Sequence, residues 1–264
     1  MTTSKPPLLI TQDGAVTTLS INDPPWNPMS FEFMDELEVT IDKLARDKSI
    51  RAIIITSEGD EHFSVGMNLK QLASVRGNKG DMMAILDQRL RVESAIERMG
   101  KPVIATMFGF CLGGGLELPL ACHFRLAAEK GTKMGLPELD LGSVPAWGGT
   151  ARLTRCVGRM HAIDMILNMK RVSGPEAYRI GLVTEVVPNK QLKARAHELA
   201  QDLAKRPPLA MAEVLRCVVE VGERSLQEGL FEERQAVLRT RGSKESQEGM
   251  RAFIEKRPPV FTGE

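Results

Sequence analysis

The segment RAIIITSEG at 51–59 constrains the fold of this chain more than any other feature. It is an unbroken apolar run, too short for a useful helix and closed by a glycine, and it shows no polar alternation. Runs of that kind are strands covered on both faces, as in parallel sheets. The pattern then returns: KPVIATMFG (101–109) reads as a strand, GFCLGGG (109–115) as a glycine loop, LELPLACHF (116–124) as a helix start or turn, and FRLAAE (124–129) as another strand. Alternating strand, glycine loop and helix implies an α/β fold with crossover connections.

The flanking segments fit that frame. LLITQDGAVTTLSIND (8–23) reads as two strands around Asp13-Gly14, and PPWNP (24–28) interrupts regular structure. Ser30 caps a helix whose apolar stripe is Phe33, Leu37, Ile41 and Leu44. HFSVGMNLKQL (62–72) reads as a loop entering a helix, residues 76–80 as a mobile stretch, and 81–99 as a helix ended by Gly100 and Pro102. Residues 159–169 read as helix, Ser173 caps another, and LVTEVVP (182–188) is the last strand. From 190 to 257 the chain reads almost wholly as helix, broken at Arg206-Pro207-Pro208.

With 264 residues, 42% of them hydrophobic, the chain is long enough for one sizeable core and a smaller appended unit. We divide it into a core at 1–195 and a helical region at 196–264. Thirty-five Lys and Arg against 34 Asp and Glu leave a net charge of +1, which gives no argument for a nucleic-acid partner. No apolar run approaches the length of a membrane span, and the N-terminal residues carry no secretory pattern. Cys111, Cys122, Cys156 and Cys217 are scattered, without metal or disulfide spacing, and suit buried thiols of a cytoplasmic protein. His62, His123, His161 and His197 form no metal motif.

The chemistry concentrates in a few residues. Gly113-Gly114-Gly115 follows a strand and precedes a helix-like segment, so it is either a tight turn or a bend whose amides meet an anion. It matches neither the dinucleotide nor the P-loop pattern. A second bend, His62 to Asn68, also follows a strand; an amide at Val65 facing one at Gly114 would form an oxyanion hole. Glu117 begins an otherwise apolar run, and Glu138 lies between Pro137 and a glycine-rich turn with Asp140 as a competitor. Two carboxylates on separate loops can divide proton-transfer work, although either alone is more often a cap or a solvated residue. Ser64 lacks a nucleophile-elbow setting.

The blocks KPVIATMFGFCLGGGLELPLACHFRLAAE (101–129), MGLPELDLGSVPAWGGTARLTRCVG (134–158), RVSGPEAYRIGLVTEVVP (171–188) and the ending FIEKRPPVFTGE strongly resemble the enoyl-CoA hydratase/isomerase (crotonase) superfamily, over almost the whole chain. The resemblance implies a spiral of ββα units and a C-terminal helical region that builds homotrimers or hexamers and closes the pocket. It implies an acyl-CoA thioester substrate, no separate cofactor and no metal. It makes Glu117 and Glu138 the catalytic pair, Val65 and Gly114 the oxyanion amides, and Val65, Gly66, Met67 and Asn68 the acyl-CoA-binding loop. Keeping both glutamates favours hydration of a 2-enoyl-CoA, with a bulky acyl group as one option for a pocket containing Trp26, Trp147, Met67 and Phe110. Isomerisation, thioester hydrolysis and a non-catalytic or RNA-binding role remain the alternatives. The chain departs from the usual pattern at Asn68 and His123, where Asp is usual, at Asn27-Pro28, and by one residue inserted near 131–133.

Overall fold

A computed structural model describes residues 5–75 and 79–263. Of the stretch at 76–80 read as mobile, residues 76–78 lie outside the described residues. In chain order the elements are β1 (Leu8–Asp13), β2 (Val16–Ile21), α1 (Phe31–Arg46), β3 (Ala52–Ser57), α2 (Leu69–Ser74) and α3 (Lys79–Glu97). They continue with β4 (Val103–Met107), β5 (Phe110–Leu112), α4 (Gly114–Leu120), β6 (Phe124–Ala128), β7 (Lys133–Gly135), α5 (Gly149–Val157) and α6 (Arg159–Leu167). The chain closes with α7 (Gly174–Arg179), β8 (Glu185–Val187), α8 (Leu192–Ala204), α9 (Pro208–Glu220), α10 (Leu226–Thr240) and α11 (Lys244–Glu255).

The main sheet has the order β1-β2-β3-β4-β6-β8, parallel throughout except for the β1–β2 hairpin. Gly14, at φ +57°, makes that hairpin turn. β3 and β4 are buried along their whole length, as an apolar run covered on both faces requires. Ser30 caps α1 by accepting from the Phe33 amide at 3.1 Å, and Phe33, Leu37, Ile41 and Leu44 are its buried stripe.

After β4 and β6 the chain bends and adds a short second strand, β5 and β7, before the next helix, and after β3 single bridges at Ser64 and Met67 take that place, giving a spiral of ββα units. β5 pairs in parallel with β7, and single bridges from Ser64 to Cys111 and from Met134 to Val172 widen this second layer. The stretch read as one glycine loop is therefore a three-residue strand, a bend at Gly113 (φ +56°) and the first turn of α4. Strands as short as β5 and β7 carry too few residues for a two-residue period to stand out. Helix α5 likewise has no counterpart in the sequence reading.

The division at 195/196 falls inside α8. That helix lies across β2, β3, β4 and β6, and its Ala196, Ala200 and Ala204 are buried in the core. One small residue per helical turn lets it pack closely on the sheet. α9 and α10 bury no residue fully within this chain. No helix among the described residues is long and apolar enough to cross a membrane.

Candidate active site

Glu117 sits in the first turn of α4 and is 2% exposed. Its Oε1 accepts from the amides of Trp147 at 2.8 Å and Gly149 at 2.9 Å. Those amides belong to the glycine-rich turn ahead of α5, which comes close because Gly149 has no side chain: a Cβ there would lie 2.7 Å from Glu117 Oε1. Burial pushes the Glu117 carboxyl up to about 7, the two amides and Arg152 pull it down, and the Glu138 charge raises it further.

Glu138 opens a 3-10 turn over Glu138–Leu141 that ends at Gly142 in the left-handed region. Its Oε1 lies 2.9 Å from where a Cβ on Gly113 would stand, so the carboxyl overhangs the start of α4. Its Oε2 is buried without a hydrogen-bond partner among the described residues, and burial raises its pKa. Both glutamates thus lie beside the same glycine bend, while Asp140 is exposed.

Arg152 fixes the Trp147–Gly149 turn from behind. Its Nη1 donates to the Trp147 carbonyl at 2.8 Å and pairs with Glu93 at 2.7 Å, and its Nε pairs with Glu97 at 3.0 Å. This clamp joins α3 to the turn that holds Glu117. The sequence reading did not find it, because Glu93, Glu97 and Arg152 belong to separate stretches that look like ordinary charged helix.

The two amides expected to converge need one correction. Gly114 stands first in α4, where a helix offers its amides no internal acceptor. The Val65 amide, however, already donates to the Trp26 carbonyl at 3.1 Å. In the Met29–Met67 bridge, Met29 donates to the Gly66 carbonyl and Asn68 donates to the Met29 carbonyl. The Met67 amide between them therefore points the other way and has no acceptor among the described residues. Gly66, at φ +87°, brings this peptide against α4: a Cβ on Gly66 would lie 3.0 Å from the Gly114 nitrogen. Met67 and Gly114, rather than Val65 and Gly114, are the amides at this bend without an acceptor among the described residues.

The remaining candidates fall into place around this bend. Asn68 caps α2 by accepting from the Lys70 and Gln71 amides at 3.1 and 3.3 Å, a task its amide oxygen performs as Asp would. Ser64 Oγ donates to the Asn27 carbonyl at 2.7 Å and accepts from the Gly66 amide, so it shapes the loop. Asn27, at φ +48°, donates to the Glu58 and His62 carbonyls. His123 accepts from the Val103 amide at 3.0 Å and its other ring nitrogen meets the Glu97 carbonyl, so it ties α3 to β4. Trp147 is buried against Gly114, whereas Trp26, His62 and Phe110 form a separate stack with centroids 4.4 to 5.9 Å apart. Burial pushes the Cys111 and Cys122 thiols far up, which removes them as nucleophiles.

The sequence profile described as Enoyl-CoA hydratase/isomerase matches residues 11–264. The chain belongs to the enoyl-CoA hydratase/isomerase family. It is 37% identical over 253 residues to a probable enoyl-CoA hydratase of Bacillus subtilis, covering 96% of this chain and 97% of that one. Its fold superposes on a Geobacillus kaustophilus protein described as an enoyl-CoA hydratase with a TM-score of 0.94 at 29% identity, covering 99% and 98% of the two chains. An enoyl-CoA hydratase from Bacillus anthracis gives a TM-score of 0.92 at 33% identity, covering 98% and 100%. Family membership and the α/β spiral of ββα units agree with the expectation from the signature blocks.

Proposed function

We propose that this family member adds water across the 2,3 double bond of a 2-enoyl-CoA thioester. The observation that carries the proposal is the placing of two carboxyls with raised proton affinity, Glu117 and Glu138, at one glycine bend beside two amides without acceptors among the described residues. The thioester oxygen binds between the Met67 and Gly114 amides. As water adds, negative charge grows on that oxygen, and fixed N–H groups favour the transition state over the ground state.

Glu117 has one oxygen held by two amides, which leaves Oε2 to orient water. Glu138 contributes its unpartnered Oε2. With Glu117 near 7 and Glu138 raised, the pair holds a proton near neutral pH. The water oxygen bonds to the β carbon while its proton passes to Glu117, and the π electrons move onto the thioester oxygen. Glu138 then protonates the α carbon, and the proton gained by Glu117 restores the pair. Coenzyme A is part of the substrate.

Val214, Val218, Phe231, Phe253 and Ile254 on α9–α11 are more than half exposed in the single chain. Large apolar side chains on one helical region support assembly into a homotrimer or hexamer. Glu117→Gln and Glu138→Gln test the reaction: each lowers hydration of a 2-enoyl-CoA sharply, with the fold intact by circular dichroism. Hydration at the wild-type rate by both variants would overturn the assignment, and conversion of a 3-enoyl-CoA without hydration would move it to isomerisation.

A further inference from the structure

Arg89 is unusual among the residues of α3. It is 1% exposed, and it forms no direct ion pair among the described residues. Its guanidinium lies over the rings of Phe31 at 5.4 Å and Trp147 at 5.7 Å. Nη1 donates to the Gln88 side chain, while Nε and Nη2 have no partner among the described residues. A guanidinium remains charged inside a protein, and a buried donor without an acceptor is costly.

The position and shape of this orphaned edge are informative. Nε and Nη2 lie side by side on one edge of the guanidinium plane, the pair of parallel donors that can donate to both oxygens of a carboxylate. Trp147 links Arg89 to the reacting centre: its indole packs on Gly114 and also faces the guanidinium. Arg89 pairs with neither Glu117 nor Glu138, so it does not serve the proton-transfer step. Glu93, one turn further along α3, is held by Arg152 and does not neutralise it. Gln88 is itself fixed by Asp35 at 2.7 Å and Glu38 at 2.9 Å. That arrangement steadies the cation from one side and leaves Nε and Nη2 without a hydrogen-bond partner among the described residues.

We infer that the Arg89 edge binds a carboxylate at the far end of the substrate's acyl chain. The phosphates of coenzyme A are poor alternatives, because a group 1% exposed beside the indole that packs on Gly114 is out of reach of a bulky headgroup and within reach only of a slender chain. The substrate class is then a 2-enoyl-CoA derived from a dicarboxylic acid. This inference rests on the acyl-CoA reading of the same site.

The test uses matched 2-enoyl-CoA thioesters with five to eight acyl carbons, ending either in methyl or in carboxylate. A charge-assisted pair is worth about 1.5–3 kcal/mol, so at the best chain length the carboxylate form exceeds the methyl form in kcat/KM by at least about tenfold. Arg89→Met keeps the side-chain length and abolishes that preference while sparing the methyl-ended substrate; Arg89→Lys retains part of it. Binding of saturated adipyl-CoA and hexanoyl-CoA by calorimetry separates this proposal from the reaction itself. If no enoyl-CoA is hydrated but adipyl-CoA binds more tightly than hexanoyl-CoA in an Arg89-dependent way, the hydratase reading fails and the carboxylate site stands. Preference for methyl-ended chains at every length, or equal losses on both series in Arg89→Met, overturns the carboxylate site.

Discussion

Replacing Glu117 with glutamine makes the electrostatic cost of this site measurable. Glutamine keeps an oxygen for the Trp147 and Gly149 amides and cannot ionise. In the folded protein the Glu117 carboxyl is raised from 4.5 to about 7, chiefly by burial. Below pH 4.5 the folded and unfolded chains both hold the proton. Between 4.5 and 7 the unfolded chain releases it while the folded chain keeps it, so stability falls as pH rises. Above 7 both are ionised and the loss is complete. At about 1.4 kcal/mol per pH unit, the whole change is about 3 kcal/mol. His123 acts in the opposite sense, because burial lowers its pKa and the folded state then resists protonation as pH falls. The wild-type profile therefore mixes opposing slopes, whereas its difference from Glu117→Gln cancels His123 and reports Glu117 together with the carboxyls of Glu93 and Glu138 that feel its charge. The measurement is urea unfolding from pH 4.5 to 8 at fixed protein concentration. The variant gains about 3 kcal/mol on the wild type across that range. A difference that stays flat, or that favours the wild type as pH rises, would refute the assignment of a desolvated, proton-holding Glu117.

Other perturbations test other parts of the site. Glu138→Gln lowers kcat by about 10²- to 10⁴-fold, the usual contribution of a positioned acid or base, without lowering the unfolding midpoint at neutral pH, because burial raises this carboxyl too. Gly114→Ala puts a Cβ 2.4 Å from the Trp147 ring; overpacking costs about 1–3 kcal/mol in chemical denaturation, with loss of hydration. Arg152→Met strips Glu93 and Glu97 of their cation and releases the Trp147 carbonyl, lowering stability by about 3 kcal/mol in the same assay. A crystal structure with an acyl-CoA analogue places the thioester oxygen within hydrogen-bond distance of the Met67 and Gly114 nitrogens; contact with Val65 instead would reverse that choice.

Much of this protein is legible along the chain because its causes are local. The apolar run of β3, the cap at Ser30 and the glycines after β3 and β4 act within a few residues of themselves, so strand, helix and bend follow from composition and spacing. The four signature blocks carried the family, and with it the nomination of Glu117 and Glu138. The choice between the Val65 and Met67 amides was not available there. It depends on which neighbour takes each hydrogen bond, and Trp26 and Met29 are nearly forty residues away. The clamp of Arg152 on α3 and the guanidinium of Arg89, buried without a direct ion pair among the described residues, are likewise invisible in sequence, where both look like ordinary helical charges. Only packing decides whether such a charge meets water, a partner or neither. Residue order determined which groups are present near the glycine bend; tertiary structure decided which of their donors and acceptors remain free for a substrate.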